Sequence, residues 1–408
     1  MPNLSKANSK RNSRIVITLV AVTLLAAAIM TPILPRSSVS AIDTLHPGQV
    51  SGLSNVTKIA AGHIHSLTLK SDGTVWAFGN NGSGQLGNNS TTDSCTPVQV
   101  QVSGGSALSN VVEIAAGAAH SIARKSDGTV WAWGNNAFGQ LGDGTNTERH
   151  FAVQVSGVSS AIGIASGAYH NVALISGGTV KSWGRNNFGQ LGNNSTTDST
   201  SAVSVSSVTD ATQVAAGGFH SVALRANNSG KLKAWGQGGN GQLGNNSTSD
   251  ALTAVDMKDT LGVTFTGAGF VAAGISFTTV TTTGGKVWST GNDGRGQQGT
   301  GCAGSTTGLV KIGSFSGVSK AFPGPTGEHV VSYQTDSSAR GWGRNEYGQV
   351  GNGSTSDQCS PATVVDSLNA AVTGFTSVSG GGLHSLGLKS DGTVWSWGDN
   401  TFCQLGRT

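Results

Sequence analysis

The feature that most constrains this chain is a Gly-Gln-Leu-Gly motif that recurs along almost its whole length. It occurs four times unchanged, first at Gly84–Gly87, and three altered copies follow. The glutamine shared by the copies is Gln85, Gln140, Gln190, Gln242, Gln297, Gln349 and Gln404. Neighbouring glutamines are 50 to 55 residues apart, and such a period is typical of propellers and solenoids, in which each repeat needs its neighbours to form a core. We therefore expect seven equivalent units.

Each unit has the sequence pattern of β-strands. In the first unit, two runs rich in alternating or β-branched residues flank Asp72-Gly73. An Asp-Gly pair in this position predicts a tight hairpin, because the turn needs positive φ. Equivalent pairs are Asp127-Gly128, Gly177-Gly178, Gly284-Gly285 and Asp391-Gly392. No helical period runs through any repeat, so we expect the fold class to be all-β.

The two ends of the repeat array complement each other. The last unit reaches Thr408 soon after its glutamine, whereas residues 54–62 resemble a repeat segment that has no Gln-Leu-Gly before it. A closed ring leaves only short, protected strand edges, whereas a solenoid needs polar caps. We therefore expect residues 42–408 to form a seven-bladed β-propeller whose ring is closed by an N-terminal strand that completes the last blade.

Residues 1–41 have a different composition from the repeats. Basic residues between Lys6 and Arg14 precede an uncharged apolar run from Ile15 to Met30, and a stretch of small residues ends at Ala41. This order is typical of a secretory signal peptide. We expect cleavage after Ala41, with an uncleaved N-terminal membrane anchor as the alternative. Either arrangement places the propeller outside the cytoplasm, secreted or at the cell surface.

The N-terminal segment also accounts for the basic charge of the chain. The whole sequence has 24 Lys and Arg against 20 Asp and Glu, a net charge of +4. Such an excess invites a nucleic-acid partner. Five of the basic residues and none of the acidic ones lie in residues 1–41, so the remainder has 19 basic and 20 acidic residues. We therefore expect no nucleic-acid partner, and membrane contact only through the N-terminal segment if it is uncleaved.

The repeat motifs resemble those of the regulator of chromosome condensation (RCC1) repeat family, in an exported bacterial-type member. Residues 43–408 carry versions of Ala-Ala-Gly-x-x-His-Ser, Asp-Gly-x-Val-x-x-Trp-Gly and Gly-Gln-Leu-Gly at nearly fixed offsets. The resemblance implies a seven-bladed propeller. In units five and six the match is weaker, because Phe277 replaces the histidine, Thr290 replaces the tryptophan and Pro323 interrupts the Ala-Ala-Gly segment. Proline is tolerated at a sheet edge, so Pro323 fits a strand at the inner edge of a blade.

Six histidines recur once per unit, and they could suggest a ring of metal ligands. They are His65, His120, His170, His220, His329 and His384. A metal needs ligands that converge to ~2 Å, whereas equivalent positions are spread around a wide ring. We therefore interpret these histidines as structural residues that are hydrogen-bonded within each blade, and we expect no metal and no other cofactor.

The sequence contains no recognisable catalytic motif. It has no phosphate-binding Gly-x-x-x-x-Gly-Lys-Ser/Thr, no Gly-x-Ser-x-Gly and no His-Glu-x-x-His, which are the patterns of several nucleotide-binding and hydrolytic sites. We therefore expect that the protein is not an enzyme. A hydrolase or lyase built on one face of the propeller is a less favoured alternative.

The four cysteines favour disulfides, because an even number in an exported chain is typical of disulfide pairing. Cys95 and Cys359 each lie ten residues after the glutamine of their unit, and Cys403 and Cys302 lie in the units that precede them around the ring. We expect the pairs Cys95–Cys403 and Cys302–Cys359, which would join neighbouring blades. Free thiols or other pairings are the alternative.

One loop position is rich in residue types that dominate binding interfaces. Two residues before the glutamines lie Ser83, Phe138, Phe188, Asn240, Arg295, Tyr347 and Phe402. Aromatic residues and arginine are enriched at binding hot spots. The candidate binding residues are therefore Phe138, Phe188, Arg295, Tyr347 and Phe402. The alternative is that these side chains only pack on the neighbouring blade.

A second candidate is the stretch Arg149, His150 and Phe151, which interrupts the Asn-, Ser- and Thr-rich loop pattern in the second unit. The alternative is an ordinary solvated loop.

Together these observations predict an exported, non-enzymatic and monomeric propeller that binds a protein or glycan through loops on one face. The resemblance allows this function, because similar exported bacterial propellers include a secreted inhibitor of β-lactamases. The family name implies an alternative, guanine-nucleotide exchange on a small GTPase. That function predicts a cytoplasmic or nuclear protein, so the N-terminal segment and the nearly neutral propeller argue against it.

Overall fold

The computed structural model describes residues 43–225 and 229–407, which form a seven-bladed β-propeller of four-stranded antiparallel sheets. The all-β prediction is confirmed. The expected signal or anchor segment, residues 1–41, lies outside the described residues, so its cleavage stays a prediction. Within the described ranges, no helix has the length and apolar character to span a membrane.

The strands follow one another blade by blade. The N-terminal strand is β1 (Gly48–Gln49). The first blade holds β2 (Val56–Ala61), β3 (His65–Lys70), β4 (Val75–Gly79) and β5 (Ser94–Gln99). The second holds β6 (Val111–Ala116), β7 (His120–Lys125), β8 (Val130–Gly134) and β9 (Arg149–Gln154). The third holds β10 (Ala161–Ser166), β11 (His170–Ile175), β12 (Val180–Gly184) and β13 (Ser199–Ser204).

The fourth blade holds β14 (Ala211–Ala216), β15 (His220–Arg225), β16 (Leu232–Gly236) and β17 (Ala251–Asp256). The fifth holds β18 (Ala268–Ala273), β19 (Phe277–Thr282), β20 (Val287–Gly291) and β21 (Thr306–Lys311). The sixth holds β22 (Val318–Pro323), β23 (His329–Gln334), β24 (Ala339–Gly343) and β25 (Gln358–Thr363). The seventh holds β26 (Phe375–Gly380), β27 (His384–Lys389) and β28 (Val394–Gly398).

The ring closes through β1, as the sequence predicted. This short strand pairs antiparallel with β28, placing Gly48 opposite Ser396, and it is the outermost strand of the seventh blade. The repeat-like segment that follows forms β2, the innermost strand of the first blade. The predicted hairpins are also present. Asp72 Oδ1 accepts hydrogen bonds from the backbone N–H and the hydroxyl of Thr74, at 2.9 and 2.6 Å, and Gly73 has φ of 79°.

The hydrophobic core lies between neighbouring blades. Leu67 and Leu86 of the first blade share one buried cluster with Trp133 of the second. Trp133 also donates a hydrogen bond from Nε1 to the backbone oxygen of Gln85, at 2.9 Å. Gly87 has φ of 66°, and a Cβ there would come within 2.8 Å of the Trp133 ring. The repeated Gly-Gln-Leu-Gly motif is therefore the surface on which the next blade packs.

The repeated histidines join neighbouring blades. His65 Nε2 lies 2.9 Å from Ser121 Oγ of the next blade, and that hydroxyl donates to the backbone oxygen of Gln85 at 3.0 Å. Since a hydroxyl has one proton to donate, Nε2 of His65 is the donor in the first bond. Burial lowers the pKa of His65 to about 3, so the imidazole is neutral near pH 7. The expectation that each histidine bonds within its own blade is wrong, because its acceptor is carried by the following blade.

The same link is present at six of the seven junctions of the described ring. The other pairs are His120–Asn171, His170–Ser221, His220–Thr278, His329–Ser385 and His384–Ser66, with distances of 2.8 to 3.0 Å.

The junction between the fifth and sixth blades has a different chemistry. Phe277 replaces the histidine and Val330 replaces the acceptor, and both are fully buried in one apolar cluster. The hydrogen bond is therefore replaced by an apolar contact through two matched substitutions. Pro323 is the last residue of the innermost strand β22, which confirms the prediction that it lies in an inner edge strand.

Two disulfides join neighbouring blades. Cys95 of β5 is bonded to Cys403 of the seventh blade, and Cys359 of β25 is bonded to Cys302 of the fifth blade, with Cα–Cα distances of 4.4 and 4.9 Å. These are the pairs that the sequence predicted. One bond lies where the ring closes, and the other lies at the junction that lacks the histidine link.

Candidate functional site: one face of the propeller

The five loop-position candidates lie on one face of the propeller. Because the strands of a blade alternate in direction, the turn between its first and second strands and the loop between its third and fourth strands lie at the same end. In the first blade these segments are residues 62–64 and 80–93. We call this side the loop face. The Asp-Gly hairpins and the connections between blades lie on the opposite side.

The repeated glutamine holds each long loop in shape. Gln85 Oε1 accepts a hydrogen bond from the backbone N–H of Ser83 at 2.9 Å, and its Nε2 donates to Asn80 at 2.6 Å. The equivalent N–H groups belong to Phe138, Phe188, Asn240, Arg295, Tyr347 and Phe402, with distances of 2.7 to 2.9 Å. The backbone at this loop position is therefore held by a hydrogen bond in every blade, whereas the type of side chain differs between blades.

On the second to fourth blades the loop face carries a cluster of rings. Phe138 lies edge-on to Tyr169, with ring centroids 5.3 Å apart, and Phe188 lies edge-on to Phe219 at 5.5 Å. Tyr169 and Phe219 are 6.3 Å apart and stacked. Arg185 lies over this group, with its guanidinium carbon 4.6 Å from the Phe138 centroid. We call these five residues the aromatic cluster.

The members of the aromatic cluster are only partly covered. Phe219 is buried, whereas the other four side chains are half-buried. Burial raises the pKa of the Tyr169 phenol, and the positive charge of Arg185 opposes this effect. Phe138 and Phe188 both pack on a ring of the following blade, as the packing interpretation expects. They also leave part of their surface exposed to solvent, so packing and binding do not exclude each other.

The fifth and sixth blades carry a network of ion pairs on the same face. Arg295 pairs with Glu346 at 2.9 Å and with Asp357 at 3.2 Å, whereas Arg344 pairs with Glu346 at 2.7 Å and with Glu328 at 3.4 Å. A hydrogen bond from Arg344 is the largest factor that lowers the pKa of Glu346. We call these five residues the charged cluster. Its positive charges are already satisfied within the protein.

Of the remaining loop-position candidates, Tyr347 borders the charged cluster and Phe402 lies apart from both clusters. Tyr347 is 40% exposed beside Arg344, whose guanidinium carbon is 5.9 Å from its ring centroid. Phe402 is half-buried on the seventh blade next to the disulfide-bonded Cys403. The five loop-position candidates therefore share a face but do not form one continuous patch.

The second candidate stretch lies in a strand. Arg149, His150 and Phe151 begin β9, so the loop interpretation of these residues is wrong. Arg149 pairs with Asp143 of its own blade at 2.7 Å. The His150 backbone lies against Gly84 of the preceding blade, where a Cβ would come within 2.7 Å of it. Two of the three residues therefore have structural partners.

Sequence reasoning missed Tyr169, Arg185 and Phe219. Tyr169 and Phe219 each precede a repeated histidine, and Arg185 follows the last glycine of β12. These positions vary from unit to unit, and they belong to motifs other than Gly-Gln-Leu-Gly. Comparing every variable position across the seven units, rather than one loop position, would have indicated them.

The axis of the propeller contains a cavity of about 380 Å³ lined by the inner strands, including Ala61, Ala116 and Ala216. Glu113 in its wall pairs with Arg124 at 2.8 Å. Among residues 43–225 and 229–407, no group of three His, Cys, Asp or Glu residues is arranged to hold a metal ion.

Comparisons with known proteins agree with this architecture. Residues 36–270 match the model of the RCC1-like domain, and residues 341–388 and 375–404 match the RCC1 repeat. Over 350 residues the chain is 31% identical to the ultraviolet-B receptor UVR8 of Arabidopsis thaliana, covering 85% of this chain and 66% of that protein. A 122-residue stretch is 36% identical to the human E3 ubiquitin-protein ligase HERC2, covering 28% of this chain and 2% of that protein.

Among solved structures, yeast RCC1 (Prp20) bound to Kap60 is similar, with a TM-score of 0.69 and 20% identity over 86% of this chain and 82% of that one. At this identity the likeness concerns the fold. The chain spans just under two thirds of UVR8 and a small part of HERC2.

Proposed function

The chain belongs to the family of RCC1-like domains, and from that premise we propose that it is an exported, non-enzymatic propeller that binds a protein through its loop face. The observation that carries this proposal is the aromatic cluster. Half-buried rings and an arginine, each fixed on a rigid loop, have the composition of a binding hot spot. Loops on a rigid scaffold are also where propellers and related folds place their binding residues.

A protein partner is supported by the properties of similar propellers. Yeast RCC1 has been solved in complex with the protein Kap60, and UVR8 is a receptor. The similarity to HERC2 spans 2% of that ligase, which gives no basis for ligase activity in this chain. We therefore favour a protein over a glycan as the partner.

Export is supported by two independent features. Residues 1–41 have the order of a secretory signal. The four cysteines form two disulfides, and disulfides persist mainly in oxidising, extracytoplasmic compartments. Determining where the protein is found and sequencing its mature N-terminus would test this part. Recovery in the cytoplasm with an intact N-terminus would overturn it.

The binding proposal is tested by pull-down from extracytoplasmic extracts with the wild-type propeller and with the triple variant F138A/F188A/F402A. We expect the triple variant to lose recovery of the partner. The matched control is S83A/N240A, which changes the same loop position in two other blades and should retain recovery. A thermal melt of each variant checks that it is folded. Unchanged recovery by the triple variant would discard the aromatic residues as the binding surface.

The same preparations can be tested for acceleration of nucleotide release from a purified small GTPase. We expect no acceleration. A clear acceleration by the wild-type protein would replace the binding proposal with guanine-nucleotide exchange.

A further inference from the structure

Two arginines occupy the same backbone position in blades that lie three apart around the ring. Arg185 follows the last residue of β12 and Arg344 follows the last residue of β24. The backbone N–H of each donates to the residue before a repeated histidine, Tyr169 in one blade and Glu328 in the other, at 2.9 Å in both cases. The repeat therefore presents both guanidinium groups on the loop face at equivalent positions.

The surroundings of the two arginines are opposite in chemistry. Arg344 has carboxylates on both sides, Glu328 at 3.4 Å and Glu346 at 2.7 Å. In the blade of Arg185, Tyr169 replaces the first of these acids and Asn187 replaces the second. The same scaffold therefore pairs one guanidinium with two carboxylates and, among the described residues, leaves the other without one.

The guanidinium of Arg185 lies close to three aromatic rings. Its guanidinium carbon lies 4.6, 5.2 and 5.8 Å from the centroids of Phe138, Phe219 and Tyr169. Its side chain forms no ion pair and no hydrogen bond with any residue in the described ranges, and its nitrogens are not sealed from solvent. Its N–H groups therefore have no acceptor among the described residues and are available to a ligand. The edge that carries them is the part of arginine that matches a carboxylate with two parallel hydrogen bonds.

We propose that the aromatic cluster binds an acidic side chain of a protein partner. The partner carboxylate pairs with the N–H groups of Arg185, and its apolar neighbours pack on Phe138 and Phe188. The inference rests on the proposed function and adds the chemistry of the partner to it. A nucleic acid fits less well, because binding a phosphate backbone needs several positive charges and the propeller region has 19 basic against 20 acidic residues.

The test uses two short peptides and the exported form of the full chain. One peptide carries two glutamates flanked by leucine and phenylalanine, and the other has glutamine in place of each glutamate. Affinities are measured by isothermal titration calorimetry. We expect the glutamate peptide to bind about tenfold more tightly, because hydrogen bonds to charged groups are the stronger ones. We also expect this preference to weaken as the salt concentration rises.

Three variants identify the group responsible. R185Q should remove the preference for glutamate, and R185K should retain part of it, because lysine keeps the charge but lacks the fork. R344Q is the matched control, since that arginine is already paired with Glu328 and Glu346, and it should leave the preference unchanged. R185K also provides the test if R185Q does not fold.

Several results would overturn the inference. They are equal binding of the two peptides, no binding of the glutamate peptide up to about 1 mM, an unchanged preference in R185Q, and tighter binding of a twelve-residue oligothymidylate than of the glutamate peptide. Self-association of the wild type that R185Q abolishes, without any peptide preference, would also overturn it in favour of a second copy of this chain.

The two proposals fail in different ways. If the pull-down partner is recovered equally by the wild type and by R185Q, the inference about Arg185 is wrong while the binding function stands. If no partner depends on any loop-face residue and the glutamate peptide still requires Arg185, the proposed function is wrong while the carboxylate site stands.

Discussion

Six of the seven contacts between neighbouring blades are built around a buried histidine, whereas the contact between the fifth and sixth blades is not. At the six contacts a neutral imidazole donates to the next blade, as His65 does to Ser121. At the seventh, Phe277 and Val330 form an apolar contact, and the junction also carries the disulfide between Cys302 and Cys359. The comparison teaches that this position must be filled by a buried side chain, and that either a hydrogen-bonded histidine or an apolar pair can fill it. Among the described residues, Nδ1 of each of the six histidines has no hydrogen-bond partner.

The comparison predicts a strong dependence of stability on pH. In the folded protein, burial lowers the pKa of His65, His170, His220 and His329 to about 3, that of His120 to about 4, and that of His384 well below 6.5. A histidine in the unfolded chain titrates near 6.5. Stability from these groups is therefore fully present above about pH 6.5 and is lost as the pH falls toward the folded values.

Each histidine should cost about 1.4 kcal/mol per pH unit below pH 6.5, so six together cost about 8 kcal/mol per unit. Urea unfolding between pH 7.5 and 5.5 measures this slope. The junction between the fifth and sixth blades has no such group, so its amides should stay protected from hydrogen exchange longest in acid. A free energy of unfolding that is flat from pH 7 to 5.5 would contradict the prediction.

Removal of the disulfides should have the next largest effect. The bonds join residues 308 and 57 positions apart in sequence. On the chain-entropy account, losing them costs about 6 and about 4 kcal/mol of unfolding free energy. C95S/C403S and C302S/C359S, compared by urea unfolding, test this order. Equal losses in the two variants would show that loop length does not determine the contribution.

Exchanging the chemistry of one junction should have a smaller effect. F277H alone places an imidazole N–H opposite Val330, where it has no acceptor, and should cost about 1–3 kcal/mol. F277H/V330S supplies the acceptor and should recover about 1–2 kcal/mol of that loss. The reverse exchange is H220F/T278V. A double-mutant cycle measured by chemical unfolding gives the coupling, and a coupling near zero would show that the two substitutions in this junction are not matched.

The smallest effect is expected from the ion pairs that cross the same junction on the surface. Arg295 of the fifth blade pairs with Glu346 and Asp357 of the sixth. Exposed pairs of this kind contribute little, so R295Q should lower the free energy of unfolding by less than about 1 kcal/mol. The measurement is urea unfolding at low and high salt. A loss as large as that of C302S/C359S would mean that the surface network, rather than the core contact, holds this junction.

The repeat spacing was enough to predict the fold. Seven glutamines at nearly constant intervals define seven units, and the position of each cysteine within its unit predicts which blades can be joined. The spacing of the repeats places each residue in a particular blade of the ring. A disulfide requires two cysteines in neighbouring blades, so the spacing also indicates which cysteines can pair. For the same reason, the closure by an N-terminal strand could be predicted, although the strand itself is only Gly48–Gln49.

The partners of individual side chains could not be predicted in the same way. The histidine of each blade bonds to a side chain of the next blade. The donor His65 and the acceptor Ser121 belong to the same repeated motif but to different units, so the motif by itself does not show that they meet. The aromatic cluster combines positions from different motifs of three blades, so no single motif contains it. Arg149 begins a strand because its backbone pairs with the strand that contains Gly134. Such pairing between strands determines where a strand begins, and the local sequence pattern does not contain it.

The bond between Cys95 and Cys403 has a mechanical consequence. It bridges 308 positions of the chain, so a pulling force applied before the first cysteine and after the second would pass through the sulfur atoms and bypass everything between them. Only the segments before Cys95 and after Cys403 could be drawn out, and the part of the ring between these cysteines would carry no load. Under such a force the second to sixth blades, and with them the aromatic and charged clusters, would therefore keep their folded arrangement.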